Sequence, residues 1–113
     1  MMMFENPLEA SCQQTKELLG GENPPILIDC REQHEYDFCR IEGAIFIPLS
    51  DFSGRAEALF QHVEQDAIIY CHHGVRSLHA TQYLHQQGFT KTLSMQGGID
   101  VWSEKIDPTV ARY

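Results

Sequence analysis

The chain has 113 residues, 42% of them hydrophobic, which fits one packed domain over 1–113 without disulfide or metal staples. A formal net charge of −8 repels phosphate backbones and argues against a nucleic-acid partner. No run of about 18 apolar residues exists to span a membrane, and the first ten residues lack the basic and apolar stretches of a signal peptide.

Ser11 is placed to cap a helix over 12–19, which Gly20-Gly21 stops. After Pro24-Pro25, the apolar run Ile26-Leu27-Ile28-Asp29-Cys30 reads as a buried parallel strand. A short helix is expected over 32–38, then a strand over 44–47 closed by Pro48. Ser50 or Asp51 can cap a helix reaching about Val63, with Phe52, Ala56, Leu59, Phe60 and Val63 at helical spacing. Ala67-Ile68-Ile69-Tyr70-Cys71 is the clearest strand. A helix over 76–87 follows, presenting Ala80, Tyr83, Leu84 and Gln87 on one face, with Gly88 as its left-handed stop. A strand over 92–95 and a short helix from Gly97-Gly98 through Trp102 complete the series. Strands alternating with helices through short turns predict an α/β fold, a parallel sheet with helices on both faces. Ligands of such sheets bind beyond the carboxyl ends of the strands, and Cys71 lies at one of them.

The stretch that carries chemistry is Ile69-Tyr70-Cys71-His72-His73-Gly74-Val75-Arg76-Ser77. A strand delivers a cysteine to the sheet edge, Gly74 lets a tight turn close, and a helix begins near Arg76. Inward amides of His72, His73, Gly74 and Val75, with the helix N-terminus, form an anion site. Such a site favours a thiolate at Cys71. Arg76 adds a cation able to grip an oxyanion with two prongs. The combination suits covalent catalysis in two half-reactions: Cys71 takes the outer sulfur of a thiosulfonate or persulfide, and a thiol or cyanide removes it.

Five segments together resemble a rhodanese homology domain over nearly the whole length. They are Leu27-Ile28-Asp29-Cys30-Arg31-Glu32 with Glu35-Tyr36; Ile41-Glu42-Gly43-Ala44-Ile45-Phe46-Ile47-Pro48-Leu49; Tyr70 through Ser77; Gly88-Phe89; and Gly97-Gly98-Ile99-Asp100-Val101-Trp102. The resemblance implies a five-stranded, mostly parallel sheet and sulfur transfer through Cys71. It implies no organic cofactor and no metal. It also implies that Asp29 and Arg31, with Ser77, support the active-site loop. The tail from Trp102 to Tyr113 is similar to the rhodanese tail of ubiquitin-like-protein adenylyltransferase fusions. In this superfamily sulfurtransferases carry a six-residue loop, as Cys71 to Arg76 does, whereas the related dual-specificity phosphatases carry seven. Two departures stand out: Cys39-Arg40 replaces a common Gly-His, read as a local change, and His72-His73 replaces the Arg or Lys that often follows the cysteine in thiosulfate enzymes.

Other readings compete at each position. A cysteine at a strand end can be plain packing, but its Gly74–Arg76–Ser77 context marks Cys71 as a nucleophile. His72 and His73 as metal ligands are disfavoured, because adjacent side chains should diverge and ligand spacings are absent. Cys30 can be core packing or a resolving thiol, with packing favoured; Cys12 and Cys39 have no expected chemical role. The cysteines form no CxxC pair or knottin-like framework, so the expected compartment is a reducing cytoplasm. His79 and His85 are expected to face solvent, and Trp102 to pack. Expected partners are a small sulfane-sulfur donor (thiosulfate, mercaptopyruvate or a persulfide) and a thiol, cyanide or sulfur-carrier-protein acceptor. The alternatives are a small-oxyanion reductase or phosphatase using the same thiolate, and a partner-binding module without turnover.

Overall fold

The structure is a computed structural model that describes residues 7–60 and 66–113. Five parallel strands form one sheet: β1 (Glu9–Ala10), β2 (Ile26–Asp29), β3 (Ile45–Phe46), β4 (Ala67–Tyr70) and β5 (Thr92–Met95), in the spatial order β1-β5-β4-β2-β3. β4 is central, in register with β2 from Ile26↔Ala67 to Asp29↔Tyr70 and with β5 from Ala67↔Thr92 to Ile69↔Ser94. All four of its residues are buried. An apolar run that alternates no polar residue is what a strand covered on both faces requires.

Among the described residues, five helices cover the faces: α1 (Cys12–Leu19), α2 (Gln33–Phe38), α3 (Phe52–Phe60), α4 (Val75–Gln86) and α5 (Gly98–Lys105). Period-two alternation in the strands sorts the core into two layers. Ile28, Cys30, Ala67, Ile69 and Cys71 face Phe52 of α3 and Ala80 and Leu84 of α4. Leu27, Ile68, Tyr70 and Met95 face Cys12 of α1 and Ile99 and Trp102 of α5. Cys71 therefore lies on the α3/α4 side, beside Cys30 and opposite the layer that holds Cys12 and Cys39.

Helix ends follow local chemistry. Ser11 caps α1 in a reciprocal box: Gln14 N donates to Ser11 Oγ at 3.0 Å, and Ser11 N to Gln14 Oε1 at 2.8 Å. Gly88, just past α4, takes φ 95°, the left-handed stop expected of it. α3 is entered through a 3-10 turn, Leu49–Asp51, that starts at Pro48. Phe52 of its expected apolar face is buried. The side chains of Ala56, Leu59 and Phe60, and all of Val63, lie outside the described residues.

Two surface expectations are corrected. Gln87 is exposed, and the buried face of α4 is completed by Ser77 and Thr81, whose hydroxyl bonds back to the Ser77 carbonyl at 2.9 Å. His85 is half-buried, its Nε2 2.8 Å from the Thr92 carbonyl oxygen, because the last turn of α4 leans on the start of β5. Among the described residues, no helix is long and apolar enough to cross a membrane.

Candidate active site

β4 carries Tyr70 and then Cys71 to the carboxyl edge, where the chain turns through 72–74 into α4. Cys71 is 1% exposed. Its Sγ accepts from Gly74 N at 3.1 Å and Ser77 N at 3.4 Å, and lies 3.5 Å from Ser77 Oγ. Cys30, one step past the Asp29↔Tyr70 pairing of β2 and β4, lies on the same buried face as Cys71. Gly74 is left-handed at φ 98°, and a Cβ there would come 3.1 Å from Gly97 N, so glycine both makes the turn and lets the next loop close over it.

The loop is fastened from outside by α5. Ile99 N donates to the Cys71 carbonyl at 2.9 Å and Asp100 N to the His72 carbonyl at 3.1 Å. Gly98, at φ 63°, lies so close that a Cβ would fall on those two carbonyl oxygens. Free amides at the α5 N-terminus thus satisfy the loop's carbonyls, which leaves the loop's own amides for the sulfur.

These donors hold the Cys71 thiol well below the ordinary thiol range. The neighbouring Cys30 thiol is the largest cause; burial opposes it, and the Ser77 hydroxyl and the Ser77 and Gly74 amides add to it. Cys30 shifts the other way, raised by the neighbouring Cys71 sulfur and by its complete burial. Two amides and a hydroxyl around a buried sulfur are the condition that favours a thiolate.

Arg76 does not point freely into the loop. Its Nη1 and Nη2 reach Glu35 Oε1 and Oε2 at 2.7 and 2.8 Å. The Arg76 guanidinium, against the effect of burial, keeps the Glu35 carboxyl well below the usual carboxylate range. Tyr113 Oη donates to Glu35 Oε2 at 2.6 Å and accepts from Arg31 Nη1 at 3.0 Å. Its ring stacks on His72, centroids 3.8 Å apart, and His72 stacks on His73 at 3.9 Å. The expectation that the two histidine side chains diverge is thus corrected: the turn brings the rings together, and Tyr113 extends the stack. His73 lies 3.9 Å from Asp100, and Val75 is 63% exposed at the start of α4.

Asp29 and Arg31 form a fully buried pair beside the loop. Asp29 Oδ1 accepts from Arg31 N and Nε at 3.0 and 2.9 Å, and Oδ2 from Arg31 Nη2 at 2.6 Å and from Tyr70 Oη at 2.8 Å. Arg31 also donates to the Cys39 carbonyl, and Tyr70 Oη accepts from Ile41 N at 3.1 Å. The pair therefore fixes the residue preceding Cys71 and the turn after α2.

Sequence reasoning assigned no role to Glu35, Ser94 or Tyr113, and read Gly98 as a helix start only. Ser94 pairs with Ser77 Oγ at 2.7 Å and is fully buried. A serine between Leu93 and Met95 in a short strand is the available signal. Glu35, three residues after Glu32, has capping-box spacing, and its side chain does accept from Glu32 N at 3.1 Å. Nothing local marks Tyr113.

The pattern of the Rhodanese-like domain matches residues 11–105. The chain is 30% identical over 111 residues to "Thiosulfate sulfurtransferase GlpE" of Actinobacillus pleuropneumoniae, covering 98% of this chain and all of that one. It is 33% identical over 101 residues to "Probable adenylyltransferase/sulfurtransferase MoeZ" of Mycobacterium tuberculosis, covering 89% of this chain but only 26% of that longer protein. Over 99 residues it is 31% identical to "Putative sulfur carrier protein YrkF" of Bacillus subtilis, covering 88% of this chain and 52% of the relative. Among solved structures, a rhodanese-related protein from Thermoplasma volcanium superposes with a TM-score of 0.78 at 27% identity, covering 93% of this chain and 98% of its own. A match running from the cap of the first helix to the end of the last, over a sheet of the same shape, shows that this chain belongs to the rhodanese-like domain family.

Proposed function

We propose that the protein is a sulfurtransferase in which Cys71 carries sulfane sulfur as a persulfide. The observation that carries this reading is the Cys71 sulfur held by the Gly74 and Ser77 amides at the carboxyl end of the central strand. With thiosulfate, the Cys71 thiolate attacks the outer sulfur; the S–S bond breaks and its electron pair leaves with sulfite. The outer sulfur of the resulting persulfide bears the negative charge that the loop amides and the α4 N-terminus stabilise. Cyanide or a thiolate then attacks that sulfur, taking it as thiocyanate or a new persulfide and restoring the Cys71 thiolate.

The relatives support sulfur transfer or sulfur carriage in general. In our reading Cys71 is the nucleophile, residues 72–76 form the cradle, and Asp29, Arg31 and Ser77 hold the cradle in place. Arg76 is positioned through Glu35 as a rim anchor, so charge for a dianionic donor comes mainly from amides and the helix end. The donor is then a small sulfane-sulfur compound and the acceptor a thiol, cyanide or a sulfur-carrier protein, and the four free cysteines suit a reducing cytoplasm. The chemistry uses no metal and no organic cofactor.

Thiocyanate production from thiosulfate and cyanide tests the reading. The native protein should turn over, and Cys71→Ser should fall to the uncatalysed rate. Equal rates for the two proteins, or turnover of a phosphate monoester or arsenate in place of thiosulfate, would overturn it.

A further inference from the structure

Cys30 sits where a second reacting thiol would have to sit. The β2–β4 register ends at Asp29↔Tyr70, and Cys30 N continues the ladder to the Tyr70 carbonyl at 3.0 Å, so the next step places Cys30 beside Cys71. Both side chains point to the α3/α4 face, whereas Cys12 and Cys39 belong to the opposite layer. Neighbouring strands lie about 4.8 Å apart, within the roughly 4.4–6.8 Å between Cα atoms that a disulfide bridges. Cys30 is 0% and Cys71 1% exposed, so the two sulfurs are buried together.

We propose that Cys30 resolves the Cys71 persulfide from within, releasing sulfide and leaving a Cys30–Cys71 disulfide. This rests on the persulfide proposed above. The Cys30 sulfur attacks the inner sulfur of Cys71; the bond between the inner and outer sulfurs breaks; and the electron pair departs with the outer sulfur. The proton of Cys30 leaves on the departing sulfur as HS⁻. Starting from the anionic persulfide and a neutral thiol, the products are a neutral disulfide and HS⁻, so charge balances. The outer sulfur gains one electron and the Cys30 sulfur loses one, while the Cys71 sulfur keeps its oxidation level. An external dithiol returns the disulfide to two thiols by exchange. The added activity is reduction of sulfane sulfur to sulfide at the expense of a dithiol, in competition with transfer to an acceptor. With acceptor in excess the protein passes sulfur on; without it, the chain closes its own nucleophile into a disulfide.

Two arms test this on the full chain. In the first, the protein is equilibrated with oxidised glutathione and peptide-mapped without reduction. We expect a product two hydrogens lighter, with the Cys30 and Cys71 peptides joined. A protein that stays a dithiol, or carries glutathione on Cys71 without closing the bridge, overturns the proposal whatever the donor. In the second, thiosulfate is added without acceptor, with a bimane trap for sulfide and intact mass followed in time. The native chain should pass from one sulfur heavier to two hydrogens lighter as sulfide appears. Cys30→Val and Cys30→Ser should remain one sulfur heavier, with sulfide release reduced by at least about tenfold. Two substitutions are used so that one misfolded variant does not decide the result. A native persulfide that persists without sulfide release overturns the role of Cys30 and leaves the persulfide standing. Failure of both native and variant chains to gain sulfur overturns the persulfide reading, and this inference with it, while the first arm still reports whether the two sulfurs can join.

Discussion

Glu35 and Arg76, 41 residues apart in the chain, close a two-pronged ion pair at 2.7 and 2.8 Å that ties α2 to the first turn of α4. The pair turns the arginine that ends the cysteine loop into a fastening. Glu35 is 9% exposed at its side chain and Arg76 33%, so the pair is only partly screened by solvent. Replacing Glu35 by Gln should destabilise the fold by about 1–3 kcal/mol at neutral pH, since a charge-assisted pair is lost and Arg76 keeps its charge. The sign with pH follows from the lowered carboxyl. Its stabilisation is full above the unfolded carboxylate pKa and is lost as pH falls toward the folded value, which lies below the usual range. Urea unfolding of native protein and Glu35→Gln should therefore differ most at neutral pH and converge as the solution is acidified through pH values below about 4. A gap that widens on acidification contradicts this.

The Cys71 thiolate makes a second prediction. With its thiol lowered to about 4, ultraviolet thiolate absorbance should persist well below neutral pH in the native protein and vanish in Cys71→Ser. Because the neighbouring Cys30 thiol is the largest cause of the lowering, Cys30→Val should move the titration upward. Ser77→Ala should move it upward by less, since the Ser77 amide remains. An ordinary thiol titration in the native protein would show that the loop amides do not serve the sulfur.

Glycine positions separate site from scaffold. Gly98→Ala would push a methyl onto the Cys71 and His72 carbonyls at positive φ, and should cost about 1–3 kcal/mol or more together with most of the sulfur transfer. Gly54, inside α3, has nothing within 4 Å of a built Cβ. Gly54→Ala should stabilise by about 0.5–1 kcal/mol and leave turnover alone. Thermal denaturation of both variants, read beside thiocyanate formation, checks the contrast.

Tyr113 offers a graded pair of substitutions. Tyr113→Phe keeps the ring on His72 but removes the hydroxyl between Glu35 and Arg31, at about 0.5–1.5 kcal/mol. Tyr113→Ala removes both and should cost more, because the His72 stack is lost as well. Equal losses in urea unfolding would mean that the stack contributes nothing.

Elements with a strong local signal lie where the residues place them: the Ser11 cap, the apolar runs of β2 and β4, and the Gly88 stop. The cysteine loop was legible for the same reason, since strand, glycine and helix start are contiguous. The edge strand Glu9–Ala10 was not, because two residues have no period. It forms because β5 has an open side, with Ser94 N and Gln96 N donating to the Leu8 and Ala10 carbonyls at 2.8 Å. Glu35, Gly98 and Tyr113 escaped for a different reason: each acts on a segment distant in the chain, through contacts that only the closed sheet creates. Cys30 reads as core packing or a resolving thiol; that it stands beside Cys71 depends on register and on which face each thiol takes.

The most direct measurement is the intact mass of the protein acid-quenched within moments of mixing with thiosulfate. The native chain should be one sulfur heavier, about 32 mass units, with the addition mapped to the Cys71 peptide and removed by cyanide or dithiothreitol. A Cys71→Ser chain that gains the same sulfur would contradict the account.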